Sequence, residues 1–325
     1  MGNMPAALAI DLGKLQCDDI SIPVMEPGKV LVKTEMASIC GSDLHVVYMG
    51  WNAYDFPLPH GYPGHEGIGY VVESSVEDFV KGDLVLTVPN IYESKTFAGY
   101  QLIDPKFLLK MPDGVPIPHL LMAQQLGTVV FGARKLPEVL GKTVVVVGQG
   151  SVGLFHDFML RRLGAQRIIV IEPVANRRQA GRTMGADDIV DVVGQRAVDA
   201  VMDLTDGNGA DLVVEGVGSV DTLNQAIAMT KALGTVALFG LPPTMDKVPF
   251  DWDTFFRKRL NVYATFGAQD VDGLPDFRLA VDYIRRGDID MSPFVTHQFP
   301  ITDVQEAFDL AYSKDDGALK VSLTF

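Results

Sequence analysis

Short apolar runs broken by Gly and Pro fill the first third of the chain, the pattern of strands and tight turns. Val30-Leu31-Val32-Lys33-Thr34 and Gly69-Tyr70-Val71-Val72-Glu73 are two such strands. Lys81-Gly82-Asp83-Leu84-Val85-Leu86 reads as a turn followed by a third. The pattern changes near residue 120, where Leu120 to Leu136 carries apolar residues at helical spacing. Thr143-Val144-Val145-Val146-Val147 follows, a β-branched run without alternation that predicts a strand buried on both faces.

From there strands and helices take turns. A helix is expected from Val152 to Leu163, a strand over Arg167 to Ile171, a helix over Ala175 to Met184 and a short strand over Asp188 to Val190. Ala210 to Glu215 and Gly234 to Phe239 are two further strands with a helix between them. Such alternation predicts a parallel sheet covered on both faces. Beyond Phe266 come an amphipathic helix around Asp276 to Arg286 and a closing strand over Leu319 to Phe325.

Composition narrows the functional classes. The chain has 325 residues, enough for two domains, with 47% hydrophobic and 21% charged residues, a globular balance. The net charge of −14 argues against nucleic acid and against an anionic membrane surface, because both need a basic face. No apolar run is long enough for a membrane span. Met1 to Ile10 has no basic n-region, so a secretory signal is not expected. Met1-Gly2-Asn3 resembles the start of a myristoylation motif, but Ala6 stands where Ser or Thr belongs. The two cysteines, Cys17 and Cys40, imply no disulfide framework and exclude a four-cysteine zinc site. A cytoplasmic location is expected.

Gly148-Gln149-Gly150-Ser151-Val152-Gly153 fits G-x-G-x-x-G, directly after the valine strand and at the start of a helix. Gly148 permits the tight turn, Gly150 lets a pyrophosphate approach the backbone, and Gly153 lets the helix pack on the strand. The free N–H groups and dipole of the helix N-terminus, at Ser151 and Val152, favour that anion. Glu172 ends the next strand about 20 residues on, where a carboxylate holds the adenosine ribose hydroxyls. It would repel a 2′-phosphate, so NAD is expected over NADP, although Arg177 and Arg178 follow closely.

Cys40-Gly41-Ser42-Asp43-Leu44-His45 and Gly64-His65-Glu66 supply thiolate, imidazole and carboxylate, the residue types that bind zinc. Together with Ile39, Pro63-Gly64-His65-Glu66-Gly67, Lys81-Gly82-Asp83-Leu84-Val85, the glycine turn, Asp211-Leu212-Val213-Val214-Glu215 and Gly317-Ala318-Leu319-Lys320-Val321, they resemble the zinc-dependent medium-chain dehydrogenases/reductases, the alcohol, polyol and sugar dehydrogenases. The resemblance runs nearly end to end. It implies an α/β fold, with a GroES-like β-rich catalytic domain from residues 1–125 and 266–325 and a Rossmann doubly wound parallel-sheet domain over residues 126–265.

The resemblance also implies that Cys40 and His65 bind a catalytic zinc, and that Ser42 and His45 form a proton relay through the nicotinamide ribose to solvent. It places Thr128, Val152, Val217, Leu241 and Phe266 at the cofactor, and Lys320 near the pyrophosphate. A small alcohol, polyol or sugar is the expected substrate, and a homodimer or homotetramer through the Rossmann sheet edge the expected assembly. Two departures stand out. The four-cysteine lobe is missing, since the chain runs from Asn90 and Ile91 into Thr96-Phe97-Ala98-Gly99-Tyr100, so one catalytic zinc and no structural zinc are expected. The usual third ligand, Cys or Glu, is replaced in Ala123-Gln124-Gln125-Leu126-Gly127-Thr128 by Gln124.

Zinc with thiolate Cys40, neutral His65 and neutral Gln124 would carry a net positive charge, which ligation by Glu66 would cancel. Glu66 is therefore expected to coordinate zinc in at least the resting state, with Gln124 as a weak or exchanging ligand. The alternative is that Glu66 only orients the site. The segment from Tyr48 to Phe56, followed by His60, offers aromatic faces and polar groups for a sugar or polyol, or else packs over its own domain. His119, His156 and His297 read as structural. Rival functions are a zinc-free reductase of activated C=C bonds, an epimerase with tightly held NAD, and a non-catalytic NAD-binding protein, which Gln124 alone favours.

Overall fold

The valine run at 143–147 is an interior strand with a neighbour on each edge, and its four valines are buried. It belongs to a computed structural model that describes residues 2–51, 53, 55–90, 94–242, 244 and 246–325. The chain divides into two compact units, one of Met1–Gly127 with Gly267–Phe325 and one of Thr128–Phe266. The first unit carries a GroES-like sheet and the second a parallel, Rossmann-like one.

In chain order, the first unit opens with a hairpin of β1 (Asn3–Asp11) and β2 (Lys14–Ser21). It continues through β3 (Val30–Ser38), α1 (Gly41–Met49), β4 (Gly67–Ser74), β5 (Leu84–Thr87), β6 (Tyr100–Ile103), β7 (Leu108–Lys110) and α2 (Ile117–Leu121). After α3 (Ala123–Ala133) the second unit alternates. Its elements are β8 (Thr143–Val147), α4 (Ser151–Arg162), β9 (Arg167–Ile171), α5 (Ala175–Met184), β10 (Asp188–Val190), α6 (Gln195–Leu204), β11 (Ala210–Glu215), α7 (Val220–Met229), β12 (Thr230–Leu238), α8 (Trp252–Lys258) and β13 (Asn261–Ala264). The first unit then resumes with α9 (Pro275–Arg285), β14 (Val295–Pro300), α10 (Val304–Ser313) and β15 (Lys320–Thr324).

The second unit's strands lie in the order β10-β9-β8-β11-β12-β13, all parallel. Alternate side chains feed two apolar layers. Val145 and Val147 pack with Ile169, Ile171 and Val213 on one face, and Val144 and Val146 with Ile168, Val170 and Leu212 on the other. That two-sided burial is why the run shows no alternation. The strand order reverses between β8 and β11, so their carboxyl ends frame the crevice where open α/β sheets take ligands.

In the first unit a seven-stranded sheet runs β14-β15-β3-β4-β5-β7, with β6 also on β3. The last strand thus lies antiparallel beside β3, with Ser322 opposite Ser38 and Leu323 opposite Ala37. The first hairpin, α1, α6, α8, α10, β13 and β14 had no expectation of their own in the sequence. Neither α1 nor β13 carries a clear period. The four residues of β13 are all exposed on the sheet edge, so no buried face writes itself into its sequence. No helix among the described residues is long and apolar enough to cross a membrane.

Phe277 of α9 is fully buried, and a side chain added at Gly127 would collide with its ring and backbone. Truncation to Phe277→Ala is expected to cost about 3–5 kcal/mol, read as an earlier urea-unfolding midpoint. A loss below about 1 kcal/mol would contradict this packing.

Candidate functional site

Two strand ends and one helix start build the first cluster. Cys40 is the N-cap of α1, in extended conformation, and its N–H donates to Asp43 Oδ2 at 2.8 Å. The Ser38 N–H donates to the Glu66 carbonyl at 3.0 Å, so the end of β3 meets the Gly64-His65-Glu66 turn ahead of β4. The Ile39 N–H donates to the Val321 carbonyl at 2.9 Å, which draws in the start of β15. These backbone ties bring Cys40, His65 and Glu66 together, with one ligand atom from each within 4.8 Å of the others.

The ring of His65 is fixed by its Nδ1, which lies 3.0 Å from Asp43 Oδ1 and 3.3 Å from the Pro63 carbonyl oxygen. Two acceptors at Nδ1 leave Nε2 as the nitrogen for a metal. Burial opposes charge on this ring, but the Asp43 carboxylate outweighs it and holds the His65 pKa well above the ordinary imidazole value. Ser42 Oγ stands 3.4 Å from His65 Nε2, beside the prospective metal position. His45, one turn on along α1, is half-buried with Nδ1 lacking a partner. Burial, helped by Lys314, keeps its pKa below the ordinary value.

Glu66 is 1% exposed. Its Oε2 accepts from Lys320 Nζ at 2.6 Å and from the Ser38 hydroxyl, whereas Oε1 has no partner. Burial would push this carboxyl up, but the Lys320 and His65 charges and the hydrogen bonds from Lys320 and Ser38 together outweigh that and hold it below its usual range. An ionised carboxylate with one bare buried oxygen, a thiol and an oriented imidazole are a donor set that fits zinc. Gln124 is buried on the first turn of α3.

Lys320, which the resemblance implied near the cofactor's pyrophosphate, is buried against Glu66, because the β3–β15 pairing carries it to the Cys40, His65 and Glu66 cluster. Two other side chains of the cluster, Asp43 and Ser38, escaped the sequence reading. Asp43 had a visible signal, an acid at the third helical position after a candidate N-cap. Ser38 had none, since its role depends on the register between β3 and β4.

The presumed substrate segment is largely committed to its own unit. Tyr48 donates to Asp309 Oδ1 at 2.6 Å and stacks on Tyr312 with ring centroids 4.2 Å apart. His60 lies 3.0 Å from Asp18, and Trp51 is buried with Nε1 unpartnered. Asn52, Tyr54 and, at the missing lobe, Ile91 fall outside the described residues.

In the second unit the glycine turn joins β8 to α4. Gly148 has φ 89°, open to glycine without strain, and a side chain at Gly153 would strike the Gly148 carbonyl oxygen. Gly150 caps α4, and nothing lies within 4 Å of where its Cβ would be, so a phosphate can reach the backbone there. Ser151 and Val152 form the first turn of α4. Glu172 Oε2 accepts the Gln149 N–H at 2.8 Å and Oε1 the Val174 N–H at 2.9 Å, which ties the end of β9 to the turn. Arg177 is half-buried. Burial lowers its pKa and the Glu172 charge opposes that shift. At the end of β11, Glu215 Oε1 accepts from the Val217 and Gly218 N–H groups and from Thr222, and Gly218 packs closely on the backbone of Leu241. Thr128 is half-buried and Phe266 exposed. His156 is buried, its Nδ1 2.9 Å from the Val152 carbonyl, and burial lowers its pKa to about 4.

Residues 26–113 match the model of the alcohol dehydrogenase GroES-like domain, and residues 151–285 that of the zinc-binding dehydrogenase domain. The L-threonine 3-dehydrogenase of Pyrococcus abyssi is 29% identical over 319 residues, 90% of each chain. The sorbitol dehydrogenase of Bacillus subtilis is 24% identical, covering 98% of this chain and 96% of its own. Among solved structures, a zinc-binding dehydrogenase from Sinorhizobium meliloti bound to NADP superposes with a TM-score of 0.84 at 24% identity, covering 100% of both chains. With both halves of its architecture matched, the chain belongs to the zinc-dependent medium-chain dehydrogenase family.

Proposed function

We propose that this dehydrogenase moves a hydride between the carbinol carbon of a small alcohol, polyol or sugar and NAD, using one catalytic zinc. The observation that carries the reading is the convergence of Cys40, His65 and Glu66, with a bare buried carboxylate oxygen among them. Zinc, when bound, makes the substrate hydroxyl more acidic, and the nicotinamide takes the hydride. Cys40, His65 and Glu66 hold the metal, with Gln124 as a weaker or exchanging ligand. Asp43 keeps the proton on His65 Nδ1. Ser42 takes the hydroxyl proton, and His45, held neutral by its burial, passes it on to solvent.

The cofactor reading assigns the pyrophosphate to Gly148, Gly150, Ser151 and Gly153, and the adenosine ribose to Glu172 with Arg177 alongside. Thr128, Val152, Leu241 and Phe266 serve the nicotinamide end, and Val217 also lies at the cofactor. The catalytic domain then comprises residues 1–125 and 266–325 and the cofactor domain 126–265. The acidic net charge supports a cytoplasmic protein that binds neither nucleic acid nor membrane. Assembly as a homodimer or homotetramer is supported by β13, an unpaired parallel-sheet edge with exposed Val262 and Tyr263, beside exposed Trp252 and Phe256 of α8.

Four experiments test these statements. A screen of absorbance change with NAD over alcohols, polyols, sugars and L-threonine should find a substrate. Cys40→Ser should abolish turnover at least 1,000-fold and remove zinc by metal analysis, while NADH binding stays within about threefold. Full activity in that variant would refute the zinc mechanism. NADH should bind at least tenfold more tightly than NADPH by fluorescence titration, and Glu172→Gln should narrow the gap. Equal or reversed affinities would replace NAD by NADP. Light scattering should show Val262→Lys at half the wild-type mass or less, and a wild-type monomer would remove the assembly proposal.

A further inference from the structure

Lys320 is the one buried lysine among the described residues, at 3% exposure. Nothing in the hydride-transfer scheme uses it. Its Nζ sits 2.6 Å from Glu66 Oε2, and the Ser38 hydroxyl donates to the same oxygen. Its place is fixed by backbone, since the next residue, Val321, accepts the Ile39 N–H beside Cys40. The ammonium therefore cannot withdraw to water as a surface lysine would.

A buried cation beside a metal site changes the charge count. Zinc with a Cys40 thiolate, neutral His65 and an ionised Glu66 sums to zero, and Asp43 beside His65 and Lys320 beside Glu66 add opposite charges. The lysine and the metal then repel each other in a medium of low dielectric and draw on one carboxylate. Lys320 and Ser38 occupy Oε2, leaving Oε1 for the metal.

On the reading that Cys40, His65 and Glu66 hold zinc, we infer that Lys320 is a positioning residue that competes with the metal for the Glu66 carboxylate and so weakens and loosens its hold on zinc. The pair gives the site a carboxylate ligand that is permanently present yet readily released. A centre that exchanges one ligand during turnover needs such a group.

The test measures zinc affinity by chelator competition at pH 8 on the full chain, and NADH affinity by fluorescence titration. Lys320→Met should bind zinc at least tenfold more tightly and release it more slowly, with the NADH dissociation constant unchanged within about twofold. Lys320→Arg, which keeps the charge, should stay within about threefold of wild type for zinc. Ser38→Ala removes only one donor from Oε2. It should tighten zinc by a smaller factor of about two to five, and it reads the same direction if the Met variant does not fold. Unchanged or weaker zinc binding in Lys320→Met, or in Ser38→Ala where that variant must stand in, overturns the inference. So does a tenfold loss of NADH affinity in Lys320→Met with zinc affinity unmoved, which would return Lys320 to the pyrophosphate. A wild-type chain that takes up no zinc fails differently, because it removes the metal reading itself.

Discussion

Ile39 donates to Val321 across the junction of β3 and β15, and Ser38 donates to Glu66 on the other side. These two hydrogen bonds do more than extend a sheet. They set the register that carries a thiol, an imidazole, a carboxylate and a buried ammonium to one point, from three stretches of chain far apart in sequence. Slipping β15 by one residue would turn Lys320 to the opposite face. The chemistry of the centre is thus a property of backbone pairing first and of side-chain identity second.

The second unit achieves its site by different means. Its turn is local, with Gly148, Gly150 and Gly153 within six consecutive residues, and only Glu172 must come from the next strand. The Glu172 carboxylate accepts two backbone N–H groups, one from the turn and one from its own loop. Glu215 does the same at the neighbouring strand end. Buried carboxylates that gather backbone donors hold loops rigid at the carboxyl edge of the sheet, where a dinucleotide must find a preformed surface.

That difference explains what could be read in advance. The Rossmann-like strands were legible because burial on both faces leaves an uninterrupted Val and Ile run, and the glycine turn because its geometry is dictated within a few residues. The three side chains of the candidate metal cluster were legible by residue type, yet not their partners. Nothing in Gly317-Ala318-Leu319-Lys320 announces that the lysine is buried, since that follows from pairing with a strand nearly 300 residues away. The same holds for Ser38. Tyr48 and His60 could be read either as substrate groups or as packing over their own domain, and only the structure shows that α10 and β2 engage them. The edge strand β13 was silent because its fully exposed side chains have no periodicity to show.

The order of the strands along the chain also orders events during synthesis. All six strands of the second unit have been made by residue 264, and that unit's sheet can close as soon as they leave the ribosome. β6 pairs with Val30 to Lys33 of β3, but the stretch from Met36 to Ser38 must wait for residues 320–324 before it is covered. Until then it is a bare strand edge able to pair with another nascent chain. The pairing that brings Lys320 to Glu66 therefore forms only after every strand of the second unit has been made.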